Sequence, residues 1–151
     1  MYLVYQNGRT HLTDACHLYQ ASLAPPEPTW PADVRLVMQH IHAHMFEESL
    51  TVEWIKRECG ISDNNISGRF KYYVGQGIKA YINNHRIGLA KHLLGQNQTT
   101  ILTIALEIGY SSHAAFAVSF KRHVGCTPAT FRESVQKNVK RELKRDVKRG
   151  P

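Results

Sequence analysis

The chain repeats one pattern about fifty residues apart, and that repeat narrows the possible folds more than any other feature. Val52, Ile55, Glu58, Gly60 and Ser62 are matched 49 positions later by Ile101, Ile104, Glu107, Gly109 and Ser111. After a one-residue insertion, Phe70, Lys71, Val74 and Gly75 are matched 50 positions later by Phe120, Lys121, Val124 and Gly125. Each copy reads as a short apolar-periodic helix, a Gly-containing turn, and a second amphipathic helix closed by a Gly. That order is the sequence form of a helix-turn-helix, whose second helix is shaped for a DNA major groove. Two copies predict one protein gripping two adjacent stretches of groove.

From Pro31 onward the pattern is helical throughout. Pro31 suits a first helical turn, with Val34, Val37, Met38, Ile41 and Met45 as the apolar stripe. Ser49 or Thr51 can cap the next helix, which carries Val52, Trp54 and Ile55 and stops at Gly60. Ser62 is the expected N-cap of a third helix with Ile66, Phe70 and Val74 on its buried face. A long helix from about Ile78 to Leu94 would span about 25 Å. With the width of its flanking helices, it would hold the two motifs about one DNA turn apart, about 34 Å. The second motif follows from Thr100 to Gly125, and Thr127-Pro128 open a last helix. Val135, Val139, Leu143 and Val147 then recur every four residues amid Lys and Arg. That spacing predicts a basic amphipathic extension with three readings: a solvated tip, a DNA-backbone contact, or a partner or membrane-surface helix.

Residues 1–30 differ in character. Tyr2–Tyr5, Asn7-Gly8 and Arg9–Leu12 suit a small hairpin, and a helix follows around Thr13–Leu23. Pro25-Pro26-Glu27-Pro28 then breaks the chain. Thirty residues cannot form a sensor domain alone. The segment is either an arm packed on the main domain or the remnant of a sensor domain, and the sequence leaves both open. The expected division is therefore 1–30, a tandem helix-turn-helix domain over 31–135 and a basic tail over 136–151. The domain divides into a first subdomain (31–76), a linker helix (77–95) and a second subdomain (96–135).

Charge supports nucleic-acid binding only weakly. The net charge is +7, from 19 Lys+Arg against 12 Asp+Glu. Eight of the basic and three of the acidic residues lie between Arg132 and Arg149, so the excess is mostly a tail effect. Three widely spaced cysteines, Cys16, Cys59 and Cys126, fit a reduced cytoplasmic protein better than a disulfide or zinc scaffold. No apolar run approaches the roughly 18–20 residues of a membrane span, and Met1–Tyr5 lack the features of a signal peptide. His40 and His44 are four residues apart and could share a face, but no third ligand or zinc motif accompanies them. Neither a catalytic constellation nor a phosphate loop is detectable, so no enzyme, metal or cofactor is expected.

The run from Ile101 to Arg132 resembles the signature of AraC/XylS-type transcriptional regulators. The pieces that carry the resemblance are Ile104-Ala105, Gly109-Tyr110-Ser111, Phe116, Phe120-Lys121, Gly125, Thr127-Pro128 and Phe131-Arg132. Upstream, Tyr81, Arg86, Ala90, Leu93 and Leu94 look like that family's linker helix. The resemblance covers roughly residues 33–135. It implies an all-α fold of about seven helices, in two helix-turn-helix subdomains joined by the long helix. It further implies a transcriptional activator or dual regulator at bacterial promoters, located in the cytoplasm with the nucleoid. Its partners would be double-stranded DNA and RNA polymerase. Members of the family often carry a separate ligand-sensing domain, and none is visible here.

The buried stripes fix which residues face outward. On the third helix these are Asn64, Ser67, Gly68 and Lys71. In the second motif they are His113, Ala114, Ala117, Val118, Lys121 and Arg122, preceded by Ser111 and Ser112, whose helix-start N–H groups can donate to phosphate. The family frequently places an Arg where this chain has Gly68 and Val118. Without that bidentate Arg–guanine pair, worth about 1–3 kcal/mol of discrimination, base specificity should be modest. Shape and phosphate contacts would then carry more of the binding. Lys56, opposite Ala105 in the repeat, and Arg69, at a usually apolar position, suggest looser packing in the first motif. Arg86 is a candidate for a phosphate contact or an internal ion pair, and its place in the middle of the linker helix resembles a family position that is largely structural. The rival reading is a protein-interaction module that keeps the fold and has lost its groove-reading residues. A regulatory part of a cysteine-based repair enzyme is disfavoured by the lack of clustered cysteines.

Overall fold

The computed structural model describes residues 12–96 and 99–148, without the side chains of 146–148. The hairpin expected from Tyr2 lies outside the described residues, apart from Leu12. Among the described residues there are eight helices and no strand. They are α1 (Leu12–Ala21), α2 (Ala32–His44), α3 (Val52–Glu58), α4 (Ile66–Val74), α5 (Ile78–Gln96), α6 (Ile101–Glu107), α7 (His113–Val124) and α8 (Pro128–Lys148).

Each motif closes over its own apolar wedge. In the first, Val34, Val37, Met38 and Ile41 of α2 are buried with Ile55 of α3 and Ile66 and Phe70 of α4. In the second, Ile104 and Ala105 of α6 meet Phe116 and Phe120 of α7, and Phe131 of α8 packs edge-on against Phe120 at 5.5 Å. The helix starts follow capping chemistry. Thr51 accepts from Trp54 N, Thr100 from Thr103 N and Ser112 from Ala115 N, each at 3.1 Å. Thr51, not Ser49, therefore caps α3.

Helix α5 shows no single apolar stripe because it serves both halves. Ile78, Tyr81 and Ile82 are buried toward its start, and Leu89, Ala90, Leu93 and Leu94 toward its end. Between them sits Arg86, only 6% exposed. Its Nε donates to Met45 O at 2.9 Å, Nη1 to Gly109 O at 2.9 Å and Nη2 to Glu47 O at 2.6 Å. Its guanidinium lies 5.8 Å from the centre of the Tyr110 ring. The structural reading of Arg86 holds, whereas the phosphate-contact and ion-pair readings do not, since it is too buried to reach phosphate and its partners are carbonyls, not carboxylates. It is a brace joining the end of α2 to the turn of the second motif. Burial holds its pKa below the usual guanidinium value, yet the three carbonyls satisfy the charge.

Helix α1 adds a second brace. Cys16 Sγ donates to Glu107 O on α6 at 3.6 Å, and Gln20 Nε2 donates to His42 O and Ala43 O on α2 at 3.0 and 2.9 Å. Burial pushes the Cys16 thiol up to about 11, so it packs as a small apolar group. Tyr19 OH meets His85 Nδ1 at 2.9 Å, and His42 Nε2 meets Tyr81 OH at 2.7 Å. Burial lowers the pKa of both imidazoles, and His85 lowers that of His42 further. His40 and His44 do share a face of α2, their rings stacked 6.2 Å apart and both edge-on to Trp54.

Candidate nucleic-acid interface

The two second helices, α4 and α7, start differently. Helix α7 begins directly after extended Ser112, whose Oγ holds the first turn. Ser62 does not do this for α4, which starts three residues later than its counterpart. The reason is local competition. Asp63 Oδ1 accepts from Asn65 N at 2.7 Å and Oδ2 takes Arg69 Nη1 at 2.6 Å, holding residues 63–65 in a turn. Those bonds hold the Asp63 carboxyl below its usual pKa, the backbone bond from Asn65 foremost.

Asn64 therefore stands on this turn rather than on the helix, and its Oδ1 accepts from Lys56 Nζ at 2.7 Å. Lys56 solves its own packing problem by the same bond. The stem lies half-buried where Ala105 is fully enclosed, and the ammonium snorkels to the turn. Arg69 likewise pairs with Asp63 and with Asp33 of α2. The looser packing expected of Lys56 and Arg69 is met by polar ties instead.

On α4, Ser67, Gly68 and Lys71 are exposed, as expected. A Cβ at Gly68 would lie 2.9 Å from Asn65 Oδ1, so the Asn65 amide overlies the bare backbone there. Helical spacing puts Gly68 and Tyr72, not Lys71, opposite the buried face. Tyr72 is 81% exposed, its ring 5.0 Å from that of Tyr73. The sequence reading missed both Asn65 and Tyr72. Tyr72 was within reach, because it is the repeat counterpart of Arg122.

On α7, His113, Ala114, Lys121 and Arg122 are exposed, Val118 is 61% exposed, and Ala117 lies half-buried on the flank. Ser111 is exposed in the turn and Ser112 serves as the cap. No carboxylate occurs on α7, whereas the α4 surface carries Asp63 beside its cations. Ser119 takes the place of Arg69 and bonds Tyr110 OH at 2.9 Å, a neutral version of the same tie between turn and helix.

A helix-turn-helix domain family model matches residues 55–134, more than half of the chain. A putative AraC-like transcription regulator of Streptomyces lividans is 36% identical over 85 residues, 56% of this chain and 28% of that protein. The chain belongs to the AraC-type helix-turn-helix family. Among solved structures, the C-terminal domain of AraT, a response regulator from Geobacillus stearothermophilus, is 25% identical. It has a TM-score of 0.65 and covers 70% of this chain and 88% of that one. The DNA-binding domain of AdpA, a global transcriptional factor in complex with a target DNA, is 21% identical, with TM-score 0.63. It covers 72% of this chain and 96% of that one, and shares the fold. The AraC-type domain here spans less than a third of the length of the curated relatives it matches. No described helix is long and apolar enough to cross a membrane.

Proposed function

We propose that the chain is a DNA-binding regulator of transcription that inserts α4 and α7 into consecutive major grooves at bacterial promoters. The observation that carries this reading is the doubled helix-turn-helix on one braced helix. Arg86 and α5 tie both motifs together, so the two second helices are presented as one unit. Geometry fixed before binding lowers the ordering cost of engaging two grooves at once. Lys121 and Arg122 would take phosphates. Val118, Ala114 and Ala117 would pack on thymine methyls, and Ser67 with the Asn65 amide would meet base edges. Ser111, Ser112, His113, Asn64, Gly68 and Lys71 complete the contact surface. The reading contains no catalytic step. Activation through RNA polymerase, a cytoplasmic, nucleoid-associated location and a separate sensor domain belong to the same proposal.

Fluorescence anisotropy of a labelled random-sequence duplex pool at rising salt tests it. Binding should weaken steeply with salt, and the Lys121→Ala/Arg122→Ala pair should lose about two units of the log–log slope. Lys71→Ala should lose about one unit or less. Absence of binding at low salt would overturn the reading in favour of a protein-interaction module.

A further inference from the structure

Helix α8 continues to Lys148, well past residue 134 where the family match ends. Its root is held. Phe131 packs on Phe120, Arg132 Nη2 donates to Thr99 O at 2.7 Å, and Val135 faces Gly95 at the end of α5. From Gln136 to Arg145 every residue is exposed. On a helix turning about 100° per residue, Phe131, Arg132 and Val135 define the side that meets the body, and Val139 and Leu143 continue it. Lys137, Lys140, Arg141, Lys144 and Arg145 fall within an arc of about 140° on the opposite side. Glu142 lies outside that arc, while exposed Glu133, one turn before Lys137, sits on the same side at its root. Among the described residues none of the five cations has an ion pair or hydrogen bond.

Cations three and four residues apart on one helical face repel one another. A polyanion laid along the arc would relieve that repulsion, and binding would gain from released counterions. The arc contains no apolar side chain to anchor a protein partner, since Val139 and Leu143 lie on the other side. Helix α8 also leaves directly from α7, so any duplex held by α7 stands at high effective concentration beside it. The exposed stretch reaches about 15 Å, along which a duplex offers a phosphate about every 1.7 Å.

We propose that the outer face of α8 is a second DNA-contact site, a phosphate-binding arm along the duplex backbone next to the groove that α7 enters. This rests on the DNA-binding reading above. It would add affinity and salt dependence without adding base preference.

The test compares the full chain with K137Q/K140Q/R141Q/K144Q/R145Q and with V139S/L143S. The probe is a duplex selected by the wild-type protein. Gln keeps helix propensity, and circular dichroism checks that the fold is retained. The fivefold variant should show a log–log salt slope shallower by about 2–4 and affinity at least about tenfold lower at 0.1 M salt. It should also lose backbone protection beyond the two-groove footprint in hydroxyl-radical cleavage, while selecting the same sequence. V139S/L143S should behave as wild type. A fivefold variant with wild-type slope and footprint would overturn the arm, as would a loss confined to V139S/L143S. Failure of the wild-type protein itself to bind duplex would instead remove the DNA-binding reading.

Discussion

At Gly60 and Gly109 the chain makes one turn twice, with φ of 63° and 93°. The same bond returns to the preceding helix each time, Ile61 N to Lys56 O at 2.8 Å and Tyr110 N to Ala105 O at 2.9 Å. The surroundings are not alike. A Cβ at Gly60 would meet nothing within 4 Å, whereas one at Gly109 would meet Arg86 Nη2 at 2.6 Å and Phe46 O at 3.0 Å. Ala105 is sealed in, while the equivalent Lys56 leans out to Asn64. Both motifs have an apolar wedge, but around the turn the first is held by polar ties near its surface and the second by close packing against a buried guanidinium. A repeated backbone does not imply a repeated energy source, nor a repeated outer surface.

The sharpest way to break this contrast is at the two glycines. Gly109→Ala should cost about 3–5 kcal/mol, because strain adds to displacement of Arg86 from its carbonyls. Gly60→Ala should cost only about 1–2 kcal/mol, the left-handed backbone term alone. Urea unfolding of both variants checks the difference, and equal losses would dissolve the contrast. Next in size is the exchange at the helix contact. Ala105→Lys should cost about 1–3 kcal/mol for lack of an Asn64-like acceptor, and Lys56→Ala about 0.5 kcal/mol or less. The caps come third. Ser112→Ala should destabilise by about 1 kcal/mol, while Ser62→Ala should leave the midpoint unmoved.

Mild acid should act through the first half. His42 and His85 have pKa values lowered by burial, so the unfolded chain takes up protons first as pH falls below about 6.5. Stability should therefore be full above that value and decline below it, until the folded-state imidazoles also protonate. His85→Gln should flatten this profile in pH-dependent thermal melts. An unchanged slope would remove the imidazoles from the explanation.

Much of this architecture was legible because helix periodicity and Gly turns are local signals. The α2 stripe, the α5 span and the Thr51, Thr100 and Thr127 helix starts followed from neighbours in sequence. What escaped was set by competition or by distance. Ser62 looked like a cap, but Asp63 offered the backbone a tighter turn at once. Arg86 bonds carbonyls 41, 23 and 39 residues away, which no spacing rule can reveal. On the candidate interface, the α7 surface follows the expected pattern. The α4 surface does not, because losing a helical turn moved Asn64 off the helix and left Asn65 and Tyr72 on show.

The most direct measurement is sequencing of the duplexes that the wild-type protein selects from a randomised pool. A bipartite site is expected, with halves about 10–10.5 bp apart, and the two halves should carry unequal information because the two surfaces differ. Enrichment of a single unpaired element, or of none, would contradict two-groove recognition by α4 and α7.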